Sequence, residues 1–464
     1  MELRDTGVQA GARAGVGLPA HEAPWAHTLR ADPHALATMA AGAGGPFHVL
    51  HPATFADNVR AFQNALLAAG VTGQVCYGKK ANRSACFARA CRDTGAGVDV
   101  ASGPELVAAL AAGIPGPDIV VTGPAKATAL LELAARHQAL LAVDGLDELR
   151  RVIALAHDRA GRPPARILLR VLPPTDPASR FGFDDDELAR ALDLCAETKG
   201  LVETEGFSFH LSGYEPAPRA TLAASLIQRC LQARARGLTA STISIGGGFA
   251  VDYVPAEPWT EFLEHHDEGW YHAGHRPPTH YPYHRESTGA EMLTAILAHP
   301  TPDAATLAEA LIRADVRLIL EPGRALLDRA GFTVFGVQGY KTRTAGGDTY
   351  GIVTVDGLSM SLSEQWKNSE FLPDPILWPQ AAILDPVRAC IGGASCLEYD
   401  MLTWRKISFD RSPQHGDLLV YPNTAGYQMD KNETEFHQLP LPRRFVIEFG
   451  PDGFPTWTTT VEDR

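Results

Sequence analysis

Three short motifs place chemically able side chains beside glycine or proline in this 464-residue chain. Tyr77-Gly78-Lys79-Lys80-Ala81-Asn82 puts a lysine at the end of an apolar run. There it is either a solvated surface cation or, once desolvated, an amine able to form a Schiff base. Ile245-Gly246-Gly247-Gly248-Phe249 follows a second such run, and consecutive glycines leave backbone N–H groups free to cradle a phosphate, though they also suit a plain tight turn. Glu321-Pro322-Gly323-Arg324 fixes an acid and a base across a rigid turn. Asp99 and His210 end two further apolar runs, VDVAS and GFSFHLSG.

Eight runs of this kind can be read between about residues 75 and 323: VCYGKK, VDVAS, IVVTG, LLAVDG, RILLRVLP, GFSFHLSG, TISIGGG and RLILEPG. Segments such as GPELVAALAAGI, LDELRRVIALAHDRA and ATLAASLIQRCLQARARG, with apolar residues every three or four positions, separate them as amphipathic helices. Strands apolar at almost every position, alternating with helices, predict a parallel (β/α)₈ barrel. Lys80, Asp99, His210, Gly246 to Gly248, Glu321 and Arg324 then share the C-terminal face of that barrel, where active sites of this fold are built.

After Arg324 the pattern changes to TVFGVQGY, TYGIVTVDG, AAILDPVRACIGG, LLVYPNTAG and RFVIEFG with little helical period, which predicts an antiparallel β domain. The expected organisation is a segment 1–49 whose run PFHVLHP lends a strand to that domain, a barrel over 50–325 and a sandwich- or barrel-like β domain over 326–464. An insertion at about 252–300 carries WTEFLEHHDEGWYHAGHRPPTHYPYHRE. Its His265, His266, His272, His275, His280 and His284 match no zinc spacing and no acidic cluster joins them, so no metal is expected and the segment reads as a solvated or substrate-facing lid.

Composition narrows the function. Hydrophobic residues make up 45% and charged residues 20%, a globular composition, and the net charge of -13 opposes nucleic-acid or anionic-membrane binding. No apolar run reaches membrane-spanning length, and MELRDTGVQAGARAGVG has no continuous apolar stretch of signal-peptide length. The 7 cysteines are odd in number and form no CxxC, as expected of reduced thiols in a cytoplasmic protein.

Taken together, YGKKAN, GVDVASGPEL, VTGPAK, AVDGLDEL, SRFGF, FHLSG, SIGGGF, EPGR, VDG, GGASCLEYD and TAGY resemble, over nearly the whole chain, the barrel-type (fold-type III) pyridoxal-phosphate (PLP) enzymes. That group joins alanine racemase with the ornithine, arginine and diaminopimelate decarboxylases. The resemblance implies that Lys80 holds PLP as the internal aldimine, with Asp99 among the cofactor-binding residues and His210 stacked on the ring. Gly246, Gly247, Gly248, Arg324 and Tyr427 would hold the phosphate. Glu321 would face the pyridine nitrogen and keep it protonated, which makes the ring a full electron sink. Racemases of this fold place an arginine there, so Glu321 argues for decarboxylation.

Cys396 and Asp400 match the family's Cys-x-x-x-Asp segment, which in the decarboxylases comes from the partner subunit; the resemblance implies a homodimer with shared sites and Cys396 as the proton donor to Cα. Two departures stand out. His210 is followed by Leu211-Ser212-Gly213 where the family most often has Val-Gly-Ser. Leu397 stands where ornithine and diaminopimelate enzymes carry an acid for the far end of the substrate, with Glu398 one residue on. Leu397, Glu398 and Asp400 are therefore the expected substrate contacts, and a conjugated amino acid of the siderophore type is the expected substrate; the tail GYQMDKNETEFH points the same way. The alternatives are a racemase or epimerase of the same fold, or an inactive homologue that binds a partner.

Overall fold

Apolar strand runs such as Ile119–Val121 and Leu140–Val143 must be buried on both faces, and the chain achieves this by closing eight strands on themselves. The computed structural model describes residues 16–158, 161–345, 347–362, 369–380 and 385–459. Most of the opening segment read for a signal peptide, and the start of AAILDPVRACIGG, lie outside the described residues. Helices α1 (Pro24–Ala31) and α2 (Ala35–Ala43) lead into strand β1 (Phe47–Leu50) and helix α3 (Pro52–Ala68). The barrel follows: β2 (Gly73–Gly78), β3 (Gly97–Val100), β4 (Ile119–Val121), β5 (Leu140–Val143), β6 (Ala165–Arg170), β7 (Val202–Ser208), β8 (Thr242–Ser244) and β9 (Arg317–Leu320), every neighbouring pair parallel and β9 closing on β2. These are the eight runs read from the sequence.

Outside the strands lie α4 (Ala85–Thr94), α5 (Gly103–Ala111), α6 (Thr128–Arg136), α7 (Leu146–His157), α8 (Asp185–Glu197) and α9 (Pro216–Ala235). Strand alternation divides the core. Cys76, Val120, Leu140, Leu168 and Ile319 form a cluster of their own, while their neighbours Tyr77, Val121, Leu141, Leu169 and Leu320 join the core shared with the helices. Local signals fix where each strand ends. After β3, Ser102 caps α5 by accepting from the Glu105 amide (3.3 Å) while the Glu105 carboxylate accepts from Ala101 N–H (2.8 Å), a reciprocal cap that sets the turn just beyond Asp99.

The second unit is a sheet of β10 (Gly331–Ala345), β11 (Asp348–Val355), β12 (Ile376–Trp378), β13 (Val387–Gly392), β14 (Met401–Phe409), β15 (Leu418–Tyr421), β16 (Arg443–Phe449) and β17 (Pro455–Thr459), together with β1. It is mostly antiparallel, with two parallel pairs, β1 with β16 and β11 with β13. Sequence patterning missed β14, because MLTWRKISF carries Arg405 and Lys406 in what is a buried strand. Arg405 is 1% exposed and satisfies its charge on the carbonyls of Val16 and Leu372 and on Asp374.

The segment after Gly248 is partly helical. α10 (Ala256–His265), then α11 (Gly289–Ala298) and α12 (Leu307–Arg313) are helices, and α11 packs against α3 and α9 in the outer helical layer. Between α10 and α11 the chain straps the barrel to the sheet. Tyr271 bridges to Arg405, the Gly269 carbonyl accepts from Lys406 Nζ (2.8 Å), and the His275 ring sits 4.1 Å from that of Trp404. His272 Nδ1 lies 2.9 Å from the Tyr350 hydroxyl, and His284 Nδ1 2.9 Å from Asp252. Aromatic stacking on the sheet and on Phe262 engages most of these histidines.

Candidate active site

The ends of β2, β7, β8 and β9 open on one cavity of about 230 Å³, lined by Lys80, His210, Tyr214, Gly247, Gly248, Phe249, Tyr281, Glu321, Gly323, Arg324, Tyr427 and Lys431. Lys80 follows β2, and its Nζ lies 3.7 Å from Asp99 at the end of β3. Asp99 is 2% exposed and accepts from the Thr122 hydroxyl (2.6 Å). That carboxylate holds the Lys80 ammonium protonated above the usual lysine range, outweighing burial. Glu321, beyond β9, accepts from the Ser244 hydroxyl (2.6 Å). Burial, then the charge of Asp99, push its carboxyl up to about 7.

His210 follows β7. Burial first, then the charges of Lys80, Arg170 and Arg219, push its imidazole down to about 3, so the ring is neutral at physiological pH. The Gly247 amide lies 3.4 Å from its Nδ1. The glycines are sterically required. A Cβ on Gly247 would lie 2.6 Å from the Glu321 carbonyl oxygen, and one on Gly246 2.8 Å from both Phe209 O and His210 Nδ1. Arg324 is buried, donates to the Gly426 carbonyl (3.0 Å) and the Gln428 side chain (3.1 Å), and stacks on the Tyr281 ring at 4.1 Å.

The lysine loop and the tyrosine loop form one unit. Tyr427 N–H donates to Ala81 O (2.7 Å), Asn82 Nδ2 to Ala425 O (2.9 Å) and Arg83 N–H to Asp430 (2.6 Å). Tyr427 adopts φ 77°, a left-handed conformation held by these bonds.

The structure therefore brings together Lys80, Asp99, His210, Gly246 to Gly248, Glu321, Arg324 and Tyr427. Cys396, Leu397, Glu398 and Asp400 lie elsewhere in the same chain. Leu397 and Asp400 line a hollow of about 760 Å³ with Leu358, Met360, Tyr399 and Phe436, and Lys431 lines both this hollow and the Lys80 cavity. Cys396 is exposed, Leu397 is 54% exposed, and both Asp400 oxygens accept from amides of neighbouring loops, those of Ser359 (2.8 Å) and Ser395 (3.0 Å).

Sequence reading missed Arg170, Ser244, Tyr281 and Lys431. Arg170 ends β6 3.5 Å from Asp144 and 4.3 Å from the Phe181 ring, and its charge acts on Lys80, Asp99, His210 and Glu321. The signal was present, since Arg170 closes the apolar run Ile167-Leu168-Leu169 at the C-terminal end of its strand. Tyr281 gave none, because its segment carries no period.

A family profile described as "Pyridoxal-dependent decarboxylase, pyridoxal binding domain" matches residues 53–273. The uncharacterized protein y4yA of Sinorhizobium fredii is 36% identical over 419 residues, 90% of each chain. The chain belongs to the pyridoxal-dependent decarboxylase family. Pyridoxal 5'-phosphate is the cofactor, and the residues fit it: an amine at the barrel mouth, a buried carboxylate opposite, and a turn where a Cβ has no room. The decarboxylase is also 24% identical to the diaminopimelate decarboxylase of Bacillus methanolicus over 88% of this chain and 89% of that one. Its fold matches the diaminopimelate decarboxylase of Helicobacter pylori complexed with L-lysine (TM-score 0.68, 18% identity, 89% and 93% covered). It matches equally the lysine/ornithine decarboxylase of Vibrio vulnificus complexed with putrescine (TM-score 0.68, 19% identity, 90% and 98% covered). Among the described residues no helix is long and apolar enough to cross a membrane.

Proposed function

We propose that this amino-acid decarboxylase removes the α-carboxylate of a conjugated substrate of the siderophore type, working in the cytoplasm as a homodimer whose sites are shared between subunits. The observation that carries the decarboxylase chemistry is the Glu321 carboxyl, held by Ser244 within the cavity that Lys80 lines. Lys80 is the attachment point for PLP. Bound there, the cofactor supplies an electron sink for the charge left on Cα as CO₂ departs. Glu321 keeps the proton at the pyridine nitrogen; a cationic ring nitrogen opposite would in turn draw its carboxyl back to the ionised form. Neutral His210 would face the ring without competing for that proton. The glycine amides, Arg324 and Tyr427 would hold the phosphate.

Cys396 delivers the proton to Cα from the other subunit. Supporting this, Cys396 is exposed beside a large hollow and is absent from the lining of its own chain's Lys80 cavity. Apolar Leu397, with Asp400 behind it and Glu398 beside it, would face the far end of the substrate; a simple diamino acid would lose the carboxylate its distal ammonium needs. Seven free thiols, six of them buried, suit a reducing compartment.

Borohydride reduction followed by peptide mapping tests the attachment point: label on the Lys80 peptide is expected, and label on another lysine refutes it. CO₂ release from a panel of free and conjugated L- and D-amino acids tests the substrate. Efficient turnover of lysine, ornithine or meso-diaminopimelate refutes the conjugated class, and ornithine activity gained by Leu397→Asp supports the role of that position.

A further inference from the structure

Arg219, in the first turn of α9, is 1% exposed. Its guanidinium ion-pairs with no carboxylate among the described residues. It donates instead to carbonyls: Nε to Gly247 (3.4 Å), Nη2 to Leu211 (3.1 Å) and to Gly213 (2.8 Å), and Nη1 to Glu215 (3.4 Å). A cation buried this deeply against carbonyl dipoles alone is costly unless an anion lies nearby. The contact is also tight: Gly248 has φ 80°, and a Cβ there would lie 2.2 Å from Nη2.

In a trans peptide the N–H points opposite to the C=O. A residue that holds the carbonyls of Leu211, Gly213 and Gly247 therefore turns the amides of Ser212, Tyr214 and Gly248 the other way. Tyr214, Gly247 and Gly248 line the Lys80 cavity whereas Arg219 does not, so Arg219 stands behind the wall. None of those three amides donates a hydrogen bond within the described residues. We propose that Arg219 is a positioning residue for the cofactor phosphate, turning amides of the 211–214 loop and of the glycine turn into one anion cradle. The order Leu211-Ser212-Gly213 then has a reason. Glycine occupies the place that needs φ 84°, where a side chain would be strained, and the arginine at the back fixes the loop through its carbonyls.

This rests on the reading that PLP occupies the Lys80 cavity with its phosphate at the glycines, and the test separates the two. Hydrogen exchange of the parent protein is followed by mass spectrometry in the stripped form, after reloading with PLP, and with pyridoxal, which lacks the phosphate. PLP should slow exchange in both 209–215 and 245–249, and pyridoxal in neither. Arg219→Lys keeps the charge but cannot span three carbonyls, so it and Arg219→Gln should bind PLP about 10- to 100-fold more weakly while pyridoxal affinity changes less than about threefold, the size expected for hydrogen bonds to a charged group. Protection of 245–249 alone, unchanged PLP affinity in folded variants, or equal loss of PLP and pyridoxal would overturn the role of Arg219 while leaving the cofactor site standing. Failure of the parent protein to form a reducible adduct at Lys80 would remove both.

Discussion

The Sγ of Cys396 lies 3.2 Å from Nε2 of His437, and the Cys396 amide lies 3.4 Å from the same ring nitrogen. With an amide donating to it, Nε2 is the acceptor of the ring, so the thiol donates its S–H to the imidazole. The imidazole is thus placed to take the thiol proton or to return one drawn from solvent. Iodoacetamide should label Cys396 ahead of the six other cysteines, which are buried; burial pushes the Cys230 and Cys390 thiols up to about 12. His437→Phe should slow that labelling roughly threefold to tenfold, since the thiolate is the nucleophile. Peptide mapping of the alkylated protein reads both effects, and unchanged labelling in the variant refutes the pairing.

Mixing the inactive variants Lys80→Ala and Cys396→Ala under conditions that exchange subunits should restore up to about a quarter of parent activity, because half of random dimers are mixed and each mixed dimer has one intact site. Native mass spectrometry confirms the exchange. No recovery after demonstrated exchange would place both residues in one chain's site.

Glu321→Gln should cut turnover by about 100-fold or more while the cofactor stays bound, since the glycine turn and Arg324 are untouched. The absorbance of the bound cofactor and the rate of CO₂ release separate the two quantities. A variant as active as the parent would defeat the argument from ring electronics.

Glu370 gives the fold a pH dependence. It is 4% exposed, one oxygen accepts from the Trp404 amide (2.8 Å), and burial pushes its carboxyl up to about 7 despite the opposing charge of Arg405. A raised carboxyl binds its proton more tightly in the folded state than in the unfolded one. Its stabilising contribution is therefore complete below the ordinary carboxyl range and is lost as pH rises through about 7. Glu370→Gln retains the acceptor and removes the titration. The variant should gain on the parent between pH 5 and pH 8 by up to about 3 kcal/mol, visible as a smaller fall in Tm over that range. A parallel shift of the two proteins would contradict this.

The barrel was legible because its strands carry apolar runs and its helices a clean three-to-four period; Leu140 and Val143, or Leu149 and Val152, announce their elements without tertiary help. The site residues on strand ends were legible for the same reason, since Lys80, Asp99 and Glu321 interrupt apolar runs. What stayed hidden depends on partners distant in the chain. Arg405 sits inside a strand because Val16, Leu372 and Asp374 accept from it. Tyr281 reaches the cavity only because the strap around it is pinned to β14. Arg219 looked like any polar residue opening a helix until the carbonyls it holds were in place.

β1 lies between β10 and β16, with Leu50 in register with both Gly331 and Val446. On the ribosome, residues 47–50 emerge long before their parallel neighbour, residues 443–446. Until then β1 is an unpaired edge, and α1 and α2 lack part of the sheet they pack on. Arg444, on β16, also donates to Ser84 Oγ and ion-pairs with Asp430, the residue that holds the loop after Lys80. Synthesis therefore withholds this fastening of the lysine loop until β16 arrives, so a polypeptide released before Arg444 would carry every barrel residue of the site without this means to hold them.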